Sequence, residues 1–423
     1  MATQPVVPVG FHPERRVSLA QRRWSNATIF LVTEPPWSVT AAWMSSYLTI
    51  YLTANHASVR AVGLALGLAG LVQVAALGAM GGISLRLGRK AVVQIGDFFG
   101  WLVSLALWVV YPSATLVLVA YVLNQASMVV TPAWNSLFSD GIDRRQLSRA
   151  YVILQVMTVL GGMAVPLSAI GIGAVGVARF GRWILAASLP LIAASWAIRQ
   201  RYLTDVSQAL QTDRSRSPLD QTWAVWGRLR PGLLREGLTL ALLKVVAQVS
   251  LTMFATFAPL TFVSERGLGF NPEWLAFMPL SASIFGLGIW LENRRLSALS
   301  PRRGLGLAIF ALVAGFTLFW GDPNGGVVVG LLAWGLMMAG QSLFWSAHTT
   351  YWMSWLPDAS RVEVQGVVGA AAALIVTVLG PLLAPELVHH PRGLYWGALL
   401  SAAALALLVW RIPGESETVR ASQ

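Results

Sequence analysis

Cysteine is absent from all 423 residues, so disulfides, thiolate metal sites and thiol nucleophiles are excluded together. Charge is scarce as well: Asp, Glu, Lys and Arg make up 11% of the chain, and only two of the 30 basic residues, Lys90 and Lys244, are lysine. A large soluble protein would spread its charges along every amphipathic helix, whereas here they fall in short clusters between apolar runs. No Gly-rich phosphate loop followed by Lys-Ser or Lys-Thr occurs, and neither His-Glu-x-x-His nor Gly-x-Ser-x-Gly is found. ATP-driven work by this chain alone, zinc proteolysis and serine hydrolysis therefore lack their usual signatures. His389 and His390 form an isolated pair and make no metal site. No enzyme activity, cofactor or metal is expected.

What is abundant is apolar surface. Hydrophobic residues make up 56% and the mean hydropathy is +0.62, outside the balance of a soluble globular chain. A helix that crosses a bilayer needs roughly 20 mostly apolar residues. Twelve such runs can be read, near 27–52, 61–84, 91–111, 114–138, 150–174 and 181–198, then 237–263, 273–291, 304–320, 326–352, 364–385 and 393–410. The third and fourth are parted only by Tyr111, Pro112 and Ser113.

Basic residues then set the orientation, because Lys and Arg loops stay in the cytoplasm. With both termini inside, the inner segments hold 24 of them, including Arg15, Arg16, Arg22 and Arg23, the loop of Arg86, Arg89 and Lys90, and the seven from Arg199 to Arg235. The opposite side holds five: Arg60, Arg179, Arg182, Arg266 and Arg392. A net charge of +12 thus reads as topology and not as a nucleic-acid surface. The expected organisation is an N-terminal tail over 1–23, a six-helix half over 24–199, a cytoplasmic linker over 200–235, a second half over 236–411 and a tail over 412–423. Residues 219–229, with Trp223 and Trp226, read equally as a short interfacial helix or as a solvated loop.

Sliding the chain against itself by about half its length sets 47–58 against 259–269 and Arg149 against Arg361. The loop after the second run reads Gly81-Gly-Ile-Ser-Leu-Arg86-Leu-Gly88-Arg89-Lys90. It resembles the loop motif of the major facilitator superfamily, matching at Gly81, Ser84, Arg86, Gly88, Arg89 and Lys90 and departing at Leu85, where the family usually has Asp. Loops with Asp140, Asp143 and Arg149, and with Asp358 and Arg361, are similar to the family's acidic turn followed by Arg. Gly380-Pro381, and Gly161, Gly162 and Pro166, resemble its Gly-Pro hinge helices. The resemblance implies an all-α membrane protein of 12 transmembrane helices, in two six-helix halves about an axis along the membrane normal, with a midplane site between them. It also implies gating roles for Gly81, Arg86, Gly88, Arg89, Lys90, Asp97, Arg149 and Arg361.

Ionisable groups inside a bilayer cost roughly 2.5–3.5 kcal/mol at a helix centre on insertion scales, so each requires a reason. Three fall within apolar runs: Glu34, Asp97 and Lys244. Glu34 and Lys244 lie at similar depth in repeat-related helices, so opposite charges could face each other, with Glu34 as a titratable coupling or cation-binding group. The alternatives are a purely structural pair, or a protonated Glu34 serving backbone groups freed by Pro35 and Pro36. Asp97 is expected to pair with Arg86 or Arg149. Polar and aromatic faces on further helices add Trp37, Asn124, Ser127, Met128, Thr131, Asn135, Gln248, Thr252, Trp334, Gln341, Trp345 and His348; small and polar residues that only pack helices, with Trp in interfacial belts, are the competing reading.

The expectation is a monomeric, multi-pass inner-membrane secondary transporter that moves a small molecule by alternating access. Proton-coupled export of an amphipathic or cationic compound is the leading form, and nutrient or lipid uptake a second. A third reading is a non-transporting assembly factor or receptor with a filled cavity, and a continuous cavity joining Glu34 to Lys244 would separate it from the others. The expected partners are the substrate, H+ and membrane lipids.

Overall fold

The ends of the apolar runs carry their own stop signals. Ser25, Ser58 and Ser113 each accept a hydrogen bond from a first-turn amide, those of Thr28, Ala61 and Leu116 respectively, the usual way a helix start satisfies its free donors. At the other end of the first helix His56 takes a left-handed φ of 68°. The computed structural model describes residues 24–110, 113–140, 142, 144–205, 231–263, 269–297, 299–321, 326–355, 361–389, 402–407 and 409–410. Both tails, most of the linker, Asp143 and Asp358 lie outside these residues.

Among the described residues the regular structure is all helical. In order come α1 (Asn26–Ala54), α2 (Val59–Gly78), the short α3 (Met80–Leu87), α4 (Arg89–Asp97), a π-helical turn (Phe98–Val103) and α5 (Ser104–Val110). After them run α6 (Ala114–Ala126), a 3-10 turn (Ser127–Val130), α7 (Thr131–Ser139), α8 (Arg144–Leu160), a second 3-10 turn (Gly161–Ala164) and α9 (Leu167–Tyr202). The second part has α10 (Pro231–Val263), a 3-10 turn (Pro272–Ala276), α11 (Phe277–Leu291), α12 (Asn293–Ser297), α13 (Pro301–Gly321), α14 (Gly326–Trp355) and α15 (Arg361–His389). Among the described residues, seven helical stretches are long and apolar enough to cross a membrane by length and composition. Every run expected up to residue 389 is helical, and the last, 393–410, is described only at 402–407 and 409–410.

The fifth and sixth runs part at Gly176, inside the expected gap of 175–180, where a φ of +79° and ψ of 162° break the helix; glycine adopts this conformation without the penalty a Cβ would bring. One boundary differs from the sequence reading: the sixth helix runs past the expected 198 to Tyr202, and Arg199 is buried within the bundle.

Glycine sets the closest helix contacts. A Cβ on Gly70 of α2 would stand 2.2 Å from Thr377 Oγ1, and one on Gly366 of α15 would stand 2.5 Å from the Leu77 carbonyl oxygen. Small residues permit this approach where lipid supplies no hydrophobic drive between helices. α8 packs against α11 and α14, with the Ser283 hydroxyl donating to the Val159 carbonyl at 2.7 Å. Helices from both parts of the sequence thus surround a common centre.

Candidate functional site

The centre begins with proline. Pro35 and Pro36 sit inside α1, and each lacks the amide that would bond back one turn, leaving carbonyls without their helical donors. Just before them, Thr33 donates its hydroxyl to the Ile29 carbonyl at 2.8 Å and accepts from Arg199 Nε at 2.8 Å. Arg199 is 2% exposed. Its Nη2 donates to Glu34 Oε2 at 2.8 Å and its Nη1 to Asp97 Oδ2 at 3.2 Å. The guanidinium also lies over two aromatic faces of α1, Phe30 at 5.0 Å and Trp37 at 4.8 Å. A planar, permanently charged fork suits two carboxylates at once, which a lysine ammonium does less well.

Three helices therefore meet on one side chain: α1, α4 and α9. Their ends are pinned as well. Asn26 donates to the Thr204 carbonyl at 2.9 Å and accepts from the Thr204 amide at 3.1 Å, and the Trp196 indole donates to the Gln94 carbonyl at 3.0 Å.

Asp97 reaches Arg199 because of its flanks. Gly96 and Gly100 have no side chains to hold off the next helix: a Cβ at either would lie 1.9 Å from a Val130 or Ser127 side-chain atom. The π-helical turn that follows Asp97 widens the backbone, and Asn124 Nδ2 donates to the Gly100 carbonyl at 2.9 Å. Such single π turns inside α-helices are frequent at functional sites. Trp101, on this turn, meets Trp37 edge to face at 5.0 Å.

These groups form one wall of a cavity of about 630 Å³, in the range of small-molecule sites. Every residue expected at a binding or coupling position lines it: Glu34, Trp37, Asn124, Lys244, Gln248, Gln341 and Trp345. Ser127, Met128, Thr131, Asn135, Thr252 and His348 do so too. Trp334 does not. It is buried in the core, edge-on to Phe262 at 6.0 Å.

Lys244 lines the cavity from the second half of the sequence, and the expected Glu34–Lys244 pair is not formed. Glu34 is held by Arg199, while Lys244 has no hydrogen-bond or ion-pair partner among the described residues. Nor does Asp97 pair with Arg86 or Arg149. Its partner is Arg199, because the π turn and the two glycines aim it at α9 within the bundle, whereas Arg149 is exposed near the start of α8. His348 is 2% exposed. It stacks between Phe344 and Trp352, and its Nε2 lies 3.0 Å from the Leu240 carbonyl, which ties α14 to the turn of α10 just before Lys244.

The loop motif occupies one end of the bundle. Gly88 has a φ of +86° and separates α3 from α4. Arg89 pairs with Asp140 at 3.5 Å, and the Lys90 amide donates to Asp205 Oδ2 at 3.1 Å. Carboxylates from α7 and from the residues after α9 thus meet this loop, where the sequence itself has Leu85. Gly81 is buried in α3. The side chain of Arg361 lies outside the described residues.

The sequence profile of the Major Facilitator Superfamily matches residues 37–340. The chain belongs to this superfamily. Solved structures of the same fold cover 92% of it at 15% identity. They include the human organic anion transporter MFSD10 (TM-score 0.63, 98% of that chain) and the nucleoside transporter NupG (0.61, 98%). A bacterial homologue of the iron transporter ferroportin, in its outward-facing state, is a third (0.63, 99%). No curated protein sequence matches the chain. Superfamily membership makes this a multi-pass membrane protein of transporter type, for which a small-molecule substrate and a monomeric form follow.

Arg199 is the cavity-lining charge that sequence reasoning missed. It stands at the head of a basic stretch, the last residue of the expected first half, and reads in sequence as one of the cytoplasmic basic residues. One signal could have found it: Tyr202 and Leu203 continue the apolar run beyond it, so at least one more turn belongs to the bundle.

Proposed function

We propose that this protein is a proton-coupled secondary transporter in which the Glu34–Arg199–Asp97 cluster links protonation to alternating access around the central cavity. The observation that carries the reading is the cavity itself, a single space bordered by both Glu34 and Lys244. An assembly factor or receptor has no reason to keep such a volume open against lipid and helix packing, so the cavity supports transport over the scaffold reading.

The coupling follows from charge. Two carboxylates share one guanidinium. A proton on Glu34 removes the anion that holds Arg199 to α1, and a proton on Asp97 removes the one that holds it to α4. Either step loosens α9 from one neighbour while keeping the other, which is a two-state element of the kind that conformational switching requires. The titratable and charged groups facing this cluster are Glu34 on α1, Asp97 on α4, Arg199 on α9 and, lining the same cavity, Lys244 on α10 and His348 on α14.

The structural neighbours are, by name, an organic anion transporter, a nucleoside transporter and a homologue of an iron transporter, so the fold leaves the cargo open and the cavity must indicate it. Trp37, Trp101 and Trp345 on its wall suit an amphipathic compound with a flat or apolar body. The preference for cations expected from the sequence rested on Glu34 as a cation-binding carboxylate beside aromatic faces. With Glu34 bound to Arg199, that support is gone.

The absence of native cysteine makes the test direct. Single substitutions Ser45→Cys and Thr252→Cys place thiols on cavity-lining positions of α1 and α10. In right-side-out and inside-out vesicles, a membrane-impermeant maleimide is expected to label both positions from both sides, at rates that shift in opposite directions with pH. Labelling from one side only at every pH contradicts alternating access, and labelling from neither favours the scaffold.

A further inference from the structure

Among the described cavity-lining residues the only acidic ones are Glu34 and Asp97, and both are bound to Arg199. Lys244 is 9% exposed and lines the same cavity. It has no carboxylate, carbonyl or hydroxyl within hydrogen-bonding distance among the described residues. One turn along α10 is Gln248, and across from α14 comes Gln341; neither amide is hydrogen bonded to a described residue, and both line the cavity. Trp345, one turn after Gln341, supplies an aromatic wall. The neighbouring turn is fixed by the His348–Leu240 contact at 3.0 Å.

A buried ammonium without a counter-ion is costly, and the Gln248 and Gln341 amides, half-buried, open their donors into the same cavity. One acceptor-rich anion would meet all three groups. From this geometry we infer that Lys244, Gln248 and Gln341 form an anion-docking site, and that the cargo is an organic anion with a carboxylate or sulfonate head and an apolar or aromatic body against Trp345. Lys244 supplies the charge, and the two glutamine amides donate to the remaining head-group oxygens. Formal charges support the assignment: Glu34 and Asp97 are offset by Arg199 and Lys244, so a bound monoanion leaves one negative charge that a proton on the Arg199 cluster would cancel. The inference deepens the transport reading of the same cavity and rests on it for the word cargo. The anion site itself stands or falls separately.

Anionic lipid head groups share this chemistry with soluble anions, and the experiment distinguishes them. The full-length protein is placed in phosphatidylcholine nanodiscs and titrated calorimetrically with three probes of one shape: naphthalene-2-sulfonate, 2-naphthylmethanol and 2-naphthylmethylammonium. The sulfonate is expected to bind about tenfold or more tightly than the alcohol, the scale of one charge-assisted hydrogen bond, and the ammonium most weakly. Lys244→Met should abolish the preference and Lys244→Arg should keep most of it. Gln248→Leu, which leaves the charge in place, is the second variant and should reduce the preference several-fold. Sulfonate binding that is displaced when phosphatidylglycerol enters the nanodisc supports the anion site and gives its occupant as a head group. Binding unaffected by phosphatidylglycerol supports a soluble cargo. Equal affinity for the three probes, tighter binding of the ammonium, or a sulfonate preference that survives Lys244→Met overturns the proposal. Loss of two-sided cysteine labelling with this preference intact would refute transport and leave the anion site standing.

Discussion

Replacing Arg199 with Met should destabilise the protein more than replacing either of its carboxylate partners, and removing all three charges together should restore most of what is lost. Arg199 is buried and satisfies Thr33, Glu34 and Asp97 at 2.8, 2.8 and 3.2 Å. Taking away one partner of a buried ion pair typically costs about 3–5 kcal/mol, because the other charge is left without compensation. Here two carboxylates are left, so Arg199→Met belongs at the upper end of that range. Glu34→Gln and Asp97→Asn each keep one carboxylate on the guanidinium and replace a charged acceptor by a neutral one, a loss of about 1–2 kcal/mol. The triple variant Glu34→Gln, Asp97→Asn, Arg199→Met has no uncompensated charge, and uncharged replacements of buried ion pairs are often neutral. It is expected within about 2 kcal/mol of wild type. The assay is the temperature at which the monodisperse peak is lost in fluorescence-detected size exclusion, with transport-type labelling run in parallel. The expected order is wild type, triple and carboxylate variants close together, and Arg199→Met well below. A triple variant as unstable as Arg199→Met alone would refute the charge argument, since packing and not compensation would then be the cause.

Gly100→Ala should lower the yield of folded protein, because its Cβ would stand 1.9 Å from Ser127 Cβ; overpacking of this kind costs about 1–3 kcal/mol. Gly288→Ala, where a Cβ meets nothing within 4 Å, is the matched control, and equal folded yields for the two would contradict the close approach of the π-helical turn to the 3-10 turn before α7. Trp37→Leu removes one of the two rings flanking Arg199 and is expected to cost about 1–2 kcal/mol, read in the same thermal assay. Arg89→Ala should lower stability by about 1–3 kcal/mol, since the Arg89 and Asp140 side chains are only 11% and 18% exposed and a carboxylate left without its charged donor costs about that much; an unchanged thermal midpoint would contradict this.

Much of the fold is legible in the sequence because lipid is a severe constraint: a helix must be long, apolar and internally bonded to cross it. The runs at 27–52, 114–138 and 326–352 accordingly coincide with helices to within a few residues. The loop from Gly81 to Lys90 is legible for a different reason, since a left-handed Gly88 between two helices leaves a recognisable glycine among basic residues. Membership of the cavity wall could also be read, because Glu34, Gln248, Gln341 and Trp345 are polar or aromatic at helical spacing in otherwise apolar runs. Pairing could not. Glu34 and Arg199 lie 165 residues apart, and depth along a helix says nothing of its rotation about its own axis. That rotation is decided by side-chain sterics such as Gly96 and Gly100 against the Ser127–Val130 turn, and by an extra residue in a π turn that no hydropathy pattern reveals. Arg199 was hidden for a simpler reason. A cation near a helix end looks the same in sequence whether it snorkels to water or turns inward to two carboxylates.

The measurement that bears most directly on the coupling role of the Arg199 cluster is a pair of spin-label distances across the two ends of the bundle. One pair, Leu87→Cys with Arg295→Cys, spans the end that carries the Gly88 loop, and the other, Ala54→Cys with Asn271→Cys, spans the end where the Tyr47 hydroxyl reaches the Pro272 carbonyl at 2.9 Å. Double electron–electron resonance in nanodiscs is expected to show one distance lengthening and the other shortening as pH falls, with both fixed across the same pH range in a Glu34→Gln, Asp97→Asn background. Distances that move together, or that respond to pH identically with and without the two carboxylates, would contradict the account.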